Sequence, residues 1–373
     1  MPRPLTDIRV LDFSTLLPGP MATLLLAEAG AEVIKIERPG SGEDMRHYAP
    51  RWGRDGVNFA LLNRGKKSLA LDLKSDADRA RLLPLIERCD VIVEQFRPGV
   101  MERLGLGYEA VAKLNPRVIY CSITGYGQAG PKRDVAGHDL NYIGDAGLLA
   151  LSTGPAASPV LPPALIADIA GGAYPAVLNI LLALRERDES GRGRHLDIAM
   201  AEGVLPFAYW AMGSGLVAGE WPANGAGLVT GASPRYHLYP AADGRIIAAA
   251  PLEQKFWETF CEIIALPAAL QDDARDPAAT IEAVAALIAA RPSPTWAAAF
   301  AGKDCCCSVV QTVRDALDDA HFRARGLYGH RLANGAGAEI TALPVPIDAA
   351  YRGPAGEPLT APALGAHNAE LLG

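Results

Sequence analysis

Residues 8–37 decide the fold, and they read IRVLDFSTLLPGPMATLLLAEAGAEVIKIE. Residues 8–14 and 32–37 are apolar enough to predict two buried strands. Between them, residues 18–31 start with prolines and have a glycine near their end, which is typical of a helix. Two strands and one connecting helix within about thirty residues form a βαβ unit, and this unit requires a parallel sheet.

The alternation of strands and helices continues through the first 130 residues. The pattern predicts strands at 68–73, 91–96 and 118–127, and helices at 76–88 and near 99–104. This part of the chain is therefore predicted to be a doubly wound, Rossmann-like α/β domain. A long apolar helix is predicted at 172–187, soon after Asp168.

A second region begins after a stretch rich in Gly, Ala and Pro at about 214–235. The sequence then predicts two strands around the turn Asp243–Gly244. Helices are predicted from about 253 to 300, so this region is expected to form a smaller α+β domain.

Composition excludes several classes of function. The 373 residues are 50% hydrophobic, and the formal net charge of −7 argues against a nucleic-acid partner. We expect a cytoplasmic protein with no membrane span, because there is no signal-peptide pattern and no apolar run of about 18 residues. The six cysteines fit no zinc-ligand spacing, so we expect buried thiols and no metal site.

Common catalytic motifs are either absent or out of place. Gly125–Gly130 matches GxGxxG, but a Pro-Lys-Arg segment follows where a dinucleotide-binding helix would have to continue. A flexible loop beside a ligand is the favoured interpretation. The chain has no GxSxG nucleophile elbow, which weakens an α/β-hydrolase interpretation.

Several stretches taken together resemble one family over nearly the whole chain, the family III CoA-transferases (CaiB/BaiF). Their order and spacing carry the resemblance more than any one of them does. The stretches are VLDFSTLLPGPMATLLLAEAGAEVIKIERPGSGEDMR, LNRGKKSLALDLK, VIVEQFRPGVMERLGLG, SITGYGQAGP, ADIAGGAYPAVLNILLALRERDESGRGRHLDIAM, DALDDAHFRARG and PALGAHNAELL.

The resemblance implies one of two reactions on CoA thioesters. In the transferases, an aspartate at the position of Asp168 attacks the thioester, and CoA passes between carboxylates through an acyl anhydride. In the α-methylacyl-CoA racemases, the corresponding aspartate is one of two bases that flank the substrate α-carbon. The motif GHDLNY, with His138 as its histidine, matches the racemase form, and Glu253 stands where racemases carry a glutamate.

Acid–base chemistry supports the racemase interpretation. Inversion through an enolate needs a base on one face and an acid on the other, and imidazole suits both roles near neutral pH. A carboxylate such as Asp168 needs partial burial to raise its pKa, and backbone N–H groups near Gly137 could stabilise the enolate. Each residue also has an ordinary alternative: His138 could be a packed loop residue, Asp168 a helix cap, and Glu253 an exposed first-turn side chain.

The resemblance also implies which residues contact CoA and the thioester. Arginine forks suit phosphates, and Arg38 and Arg97 each follow a strand of the predicted parallel sheet. The full set of predicted substrate-binding residues is Arg38, Asn63, Lys66, Lys67, Arg97, Gly137, Asp139 and Tyr142.

By resemblance, the large domain is built from both ends of the chain. The predicted parts are 1–200 for its first portion, 201–224 for a linker, 225–320 for the small domain and 321–373 for the return. The family implies an interlocked homodimer, and an acyl-CoA substrate without a separate cofactor. The expected reaction is epimerisation at C2 of a 2-methylacyl-CoA; the alternatives are CoA transfer and a non-enzymatic CoA-binding protein.

Overall fold

The computed structural model describes residues 3–373 and divides the chain into two compact units. The first unit contains the chain up to Ala146, Ala164–Pro206 and Ala320–Gly373. The second contains Gly147–Pro163 and Phe207–Asp319. Both units are therefore assembled from separate stretches of the sequence.

The first unit is built on a six-stranded sheet in which every neighbouring pair is parallel. The order of its strands is β3-β2-β1-β4-β5-β6. Their bounds are Arg9–Asp12 (β1), Glu32–Glu37 (β2), Lys67–Ala70 (β3), Val91–Glu94 (β4), Ile119–Thr124 (β5) and Arg194–Ala199 (β6). The chain is thus a mixed α/β protein with a parallel central sheet, as the βαβ unit predicted.

Helices connect these strands. They are Pro18–Glu28 (α1), Val57–Asn63 (α2), Asp76–Arg88 (α3), Val100–Arg103 (α4), Tyr108–Leu114 (α5), Asp139–Asp145 (α6), Tyr174–Ser190 (α7) and Met200–Gly203 (α8). Local signals set their ends: Ser75 caps α3 by accepting a hydrogen bond from Asp78 N–H, and Gly191 ends α7 in the left-handed conformation at φ 71°. A π-helix, Ala167–Ala173, leads directly into α7.

The second unit has its own antiparallel sheet and its own core. Three strands pair in the order β9-β8-β7, which places the predicted Asp243–Gly244 turn between β7 and β8. The strands are His237–Pro240 (β7), Ile246–Ala249 (β8) and Cys307–Val309 (β9). The helices are Tyr209–Ala218 (α9), Gln254–Ile264 (α10), Pro277–Ala289 (α11), Ser293–Phe300 (α12) and Val313–Asp318 (α13). Trp257 and Trp296 are fully buried in this core.

The end of the chain returns to the first unit. It contains α14 (Ala320–Ala324), α15 (Asn368–Leu372) and a small sheet of Arg331–Ala333 (β10), Glu339–Thr341 (β11) and Leu359–Thr360 (β12). Several polar contacts join it to earlier residues; for example, Arg46 donates to Pro362 O at 3.2 Å, Lys67 pairs with Glu370 at 2.5 Å, and Arg352 pairs with Glu28 at 2.8 Å.

The observed boundaries differ from the sequence-based ones at two places. Residues 147–163 belong to the second unit, although the sequence-based division puts them in the large domain. Residues 201–224 are expected to form a linker, whereas they include α8 and the helix α9. The abundance of Gly and Ala there suggests an irregular segment, but Ala, Leu and Met are also good helix formers.

Four of the six cysteines are buried, as their apolar character predicted: Cys89, Cys121, Cys261 and Cys305. Cys306 is exposed and Cys307 is half-buried. Burial raises the pKa of the Cys89 and Cys261 thiols to about 12, so these groups remain protonated at neutral pH.

The helical stretch Ala167–Ser190 is long and apolar enough to cross a membrane by length and composition. Core helices of globular proteins pass the same test. This stretch packs against α1, β5 and β6, and its residues Ala176, Ile180 and Ala183 are buried there. We therefore interpret it as a core helix with one outward face.

A buried charge pair lies at the carboxyl end of β1. Lys66 Nζ contacts Asp12 Oδ2 at 3.1 Å, and both side chains are fully inaccessible to solvent. The same ammonium donates to Pro20 O, Thr23 Oγ1 and Asn63 Oδ1 at 2.8–3.0 Å. Burial lowers the pKa of Lys66 to about 8, although Asp12 opposes this shift. One lysine therefore joins β1, α1 and α2.

Lys66→Met is expected to destabilise the protein by about 3–5 kcal/mol, because it leaves the Asp12 carboxylate buried without its closest cation. Urea unfolding followed by far-ultraviolet circular dichroism measures the change. Arg185→Ala is the control, since its ion pair with Glu189 is exposed to solvent and should contribute little. Unfolding of Lys66→Met at the wild-type urea concentration would contradict this role of the pair.

Candidate active site

A cavity of about 440 Å³ opens in the first unit where β4 and β5 end. Ligands of parallel sheets bind at the carboxyl ends of strands, so this is the expected place for a site. The GxGxxG segment contributes two residues, Gly125 and Tyr126, to its wall. The lining residues are Leu16, Pro18, Gln95, Phe96, Arg97, Pro98, Ile123, Thr124, Gly125, Tyr126, Arg133, Val135, Ala136, Gly137, His138, Asn141, Tyr142, Asp168 and Met200.

The ring of Tyr142 fixes one wall of the cavity. It lies so close to Gly125 and Gly137 that a Cβ at either glycine would be 2.4 Å and 2.7 Å from the ring. The Tyr142 hydroxyl donates to Gly137 O. A side chain at either position would overlap the ring, so Gly125 and Gly137 leave the room in which Tyr142 packs against the loop that carries His138.

His138 stands at the start of α6, as the residue that caps the helix. Its backbone N–H donates to Asn141 Oδ1 at 3.0 Å, which fixes the entry into the helix. The imidazole itself is exposed and faces the cavity. The ordinary alternative, a loop histidine packed among its neighbours, does not describe this environment.

Asp168 lies inside the π-helix Ala167–Ala173 rather than at a cap, so the capping interpretation of this residue is wrong. Its backbone N–H donates to Asp139 Oδ1 at 2.9 Å. Two glycines press the same π-helix against α8: a Cβ on Gly171 would be 2.5 Å from Met200 O, and one on Gly203 would be 2.2 Å from Gly171 O. Short π-helices occur frequently at functional sites, because they redirect one turn of side chains.

The carboxyl of Asp168 has a raised pKa. Burial, followed by repulsion from Asp139, raises its pKa to about 6, while attraction to His138 opposes the rise. A carboxylate with a pKa near 6 can both accept and release a proton close to neutral pH. Partial burial therefore has the effect on Asp168 that the acid–base argument required.

Two arginines bring positive charge to the cavity wall. Arg97 follows β4, and Arg133 lies in the segment after the glycine-rich loop. A Cβ at Gly99 would be 3.1 Å from Arg103 Nη1 and 3.9 Å from Arg133 Nη2, so the guanidinium groups of Arg103 and Arg133 lie near the turn at Gly99. Such a cluster favours an anionic ligand.

Five predicted site residues line the cavity, namely Arg97, Gly137, His138, Tyr142 and Asp168. Asp139 is buried behind them, in contact with Asp168. Four others have protein partners elsewhere. Arg38 pairs with Asp44, Asn63 and Lys66 belong to the buried cluster around Asp12, and Lys67 pairs with Glu32 and Glu370.

Glu253 belongs to the second unit, where it is exposed at the start of α10. The backbone N–H groups of Phe256 and Trp257 donate to its carbonyl oxygen at 3.0 Å. The residue therefore caps the helix through its backbone, which leaves its carboxylate available to solvent.

Sequence reasoning missed Gln95 and Arg133. Gln95 Oε1 accepts a hydrogen bond from Gly19 N–H at 3.1 Å, and this bond ties the end of β4 to the start of α1. A signal for it existed, because Gln95 directly follows a buried strand. Arg133 carried a weaker signal, as one of several charges in a polar loop.

Among residues 3–373, no group of His, Cys, Asp or Glu side chains is arranged to hold a metal ion. The wall of the cavity instead carries one imidazole, one carboxyl of raised pKa and two guanidinium groups.

The parallel sheet and the cavity at its strand ends define an α/β protein with a cavity at the carboxyl ends of β4 and β5. The chain belongs to CoA-transferase family III, whose model matches residues 5–368. It is an enzyme family, and its members include both racemases and CoA-transferases.

Individual relatives show both activities. An alpha-methylacyl-CoA racemase of Mus musculus is 33% identical over 99% of this chain and 92% of that protein. A succinyl-CoA:mesaconate CoA-transferase of Haloarcula hispanica is 34% identical over 99% of this chain and 95% of that protein. The crystal structure of a CAIB/BAIF family protein from Brucella suis matches with a TM-score of 0.83 and 25% identity, covering 100% of this chain and 99% of that one.

Gly203→Ala is expected to destabilise the first unit by about 1–3 kcal/mol, because the new methyl group overlaps the Gly171 carbonyl. Urea unfolding measures the loss. Gly213→Ala is the matched control: this glycine is also in a helix, but nothing lies within 4 Å of the place that its methyl group would take. Equal stability of the two variants would show that the π-helix can move away from α8 at no cost.

Proposed function

We propose that this enzyme epimerises C2 of a 2-methylacyl-CoA by moving a proton through an enolate. The observation that carries the proposal is that His138 and Asp168 line one cavity of the first unit. One of the two removes the α-proton and the other returns a proton to the opposite face. No net proton is consumed, so the two residues exchange protonation states during each turnover.

The charges in the cavity suit this chemistry. Burial raises the pKa of Asp168 to about 6, so its carboxyl can both accept and release a proton near neutral pH. Inversion in both directions needs a group of this kind on one face of the α-carbon and a second acid–base group, His138, on the other. Glu253 is kept in the proposal as an assisting carboxylate on the strength of the family resemblance alone.

The proposed ligand is the thioester together with its CoA moiety. Arg97 and Arg133 are the candidates for contact with the CoA phosphates, because guanidinium groups bind phosphate oxygens in pairs. Gly137 and Tyr142 would lie beside the thioester. CoA is then part of the substrate, and the proposed reaction uses no separate cofactor.

CoA transfer is the second candidate, because relatives of similar identity are CoA-transferases. In that reaction the Asp168 carboxylate attacks the thioester carbonyl, forms a mixed anhydride and expels CoA as a thiolate. His138 would then have no required role. The contribution of His138 therefore distinguishes the two reactions.

Proton NMR of (2R)- and (2S)-2-methylacyl-CoA in D2O tests the proposed function. We expect deuterium to enter C2 and the epimers to interconvert without an added carboxylate. Asp168→Ala and His138→Ala should each reduce interconversion by at least about a hundredfold, as loss of a general acid–base usually does. Arg185→Ala, on an exposed surface of α7, is the control.

The opposite result would make the enzyme a transferase. No exchange in D2O, combined with CoA transfer once a free carboxylate is added, would reject epimerisation. In that case transfer should depend on Asp168 and survive His138→Ala.

We also propose that the enzyme works as a homodimer in the cytoplasm. The outward face of α7 carries four exposed apolar side chains in one helical stripe: Tyr174, Leu178, Leu181 and Leu182. Exposed fractions of 59% for Leu178 and 60% for Leu182 are unusual for adjacent turns of a core helix. The family resemblance adds that the second copy is interlocked with the first.

The double substitution Leu178→Asp and Leu182→Asp is expected to shift the protein from dimer to monomer, because two charges would have to be buried at the interface. Size-exclusion chromatography with light scattering measures the mass. Arg185→Ala, one turn further along α7, should remain dimeric. A wild-type monomer, or a folded double variant that stays dimeric, would contradict the proposed interface.

A further inference from the structure

Asp139 combines an unusual set of properties for a residue beside a reactive carboxyl. It lies in the first turn of α6, is almost fully buried and does not line the cavity. Its Oδ1 accepts the hydrogen bond from Asp168 N–H at 2.9 Å, across 29 residues of sequence. A second carboxylate is thereby held directly behind the first.

We propose that Asp139 is a positioning residue, which fixes the backbone of Asp168 and keeps a second negative charge beside its carboxyl group. The inference rests on the proposed function, in which Asp168 transfers a proton. It replaces the sequence-based assignment of Asp139 as a substrate-binding residue, because the side chain is turned away from the cavity and toward the π-helix.

The first role follows from the geometry of the π-helix. The N–H groups in the first turn of a helix have no intrahelical partner, and one at Asp168 would otherwise need water or another acceptor. Asp139 supplies that acceptor from α6. The same helix begins at His138, so one short element sets the positions of both proposed bases.

The second role follows from charge. Two carboxylates at close range raise the proton affinity of at least one of them. Repulsion from Asp139 is the second largest cause of the raised pKa of Asp168, after burial, and His138 acts in the opposite direction.

Other titratable groups lie on the elements that pack against the π-helix. Burial, followed by the charge of Asp168, raises the pKa of the Tyr142 hydroxyl in α6. The remaining titratable groups on these elements are Glu28 of α1, Asp145 of α6, Tyr174, Arg185, Glu186, Arg187, Asp188 and Glu189 of α7, Arg194, His195 and Asp197 of β6, and Glu202 of α8. The groups that shift Asp168 itself are Asp139 and His138.

The substitution Asp139→Asn separates the two roles. Its amide oxygen can still accept the Asp168 N–H bond, while the negative charge is removed. Asp139→Ala removes both the acceptor and the charge. Leu140→Ala is the matched control, because this side chain is the exposed neighbour on the same turn of α6.

The readout is the pH dependence of deuterium entry at C2. As the pH falls through about 6, Asp168 takes up a proton and can no longer act as the base, so the wild-type rate for the epimer that uses this base falls about tenfold per pH unit. With Asp139→Asn, the midpoint of this fall should move to lower pH by about one unit, with a plateau rate within a fewfold of wild type. Asp139→Ala should also lose at least about tenfold in plateau rate.

If Asp139 only stabilised the fold, the result would be different. Asp139→Asn would then lower the rate at every pH without moving the midpoint, and this outcome would overturn the proposal. Wild-type plateau activity in Asp139→Ala would also overturn it. Circular dichroism and thermal unfolding check that each variant is folded.

A second measurement separates this inference from the proposed function. Carbon-13 NMR of aspartate carboxyls follows the Asp168 titration without substrate, and the resonance is assigned by its loss in Asp168→Asn. Failure of the wild type to exchange deuterium would reject epimerisation. An Asp168 titration that is identical in wild type and Asp139→Asn would reject the inference, whichever reaction the enzyme catalyses.

Discussion

The ammonium group of Lys66 is the point on which the site-bearing unit depends. Buried charges are tolerated only when every polar atom finds a partner, and Lys66 Nζ contacts one carboxylate and three further oxygens. These acceptors come from the end of β1, from α1 and from the end of α2. These contacts hold the start of α1 at the carboxyl end of β1, and Pro18 at the start of α1 is part of the cavity wall.

The local pattern of residues 8–37 was sufficient to predict the parallel sheet, because apolar strands and a proline-initiated helix leave few alternatives. The partners of individual cations could not be predicted. Lys66 and Arg97 both flank buried strands, yet one is enclosed by acceptors and the other faces the cavity. Burial by distant parts of the chain decides this difference, and periodicity carries no information about it. The role of Asp139 was missed for the same reason, since its partner is 29 residues away.

The family relationship and the geometry constrain function at different levels. The relatives include racemases and transferases at similar identity, so sequence similarity defines the thioester chemistry and leaves the reaction open. The fold also leaves it open, because one scaffold can support several reactions. The choice between the two reactions therefore rests on the side chains around Asp168. In the reaction that we propose, the imidazole of His138 and the carboxylate of Asp139 both serve reversible proton transfer at Asp168.

The return of residues 320–373 to the first unit has a consequence during biosynthesis. Arg46, Lys67 and Glu28 are made early, but their partners Pro362, Glu370 and Arg352 leave the ribosome last. The second unit is inserted between them and emerges whole while the first is still incomplete. Long-range contacts of this kind slow folding and expose apolar surface for longer. We therefore expect chaperones to bind the apolar surface of the unfinished first unit until translation ends.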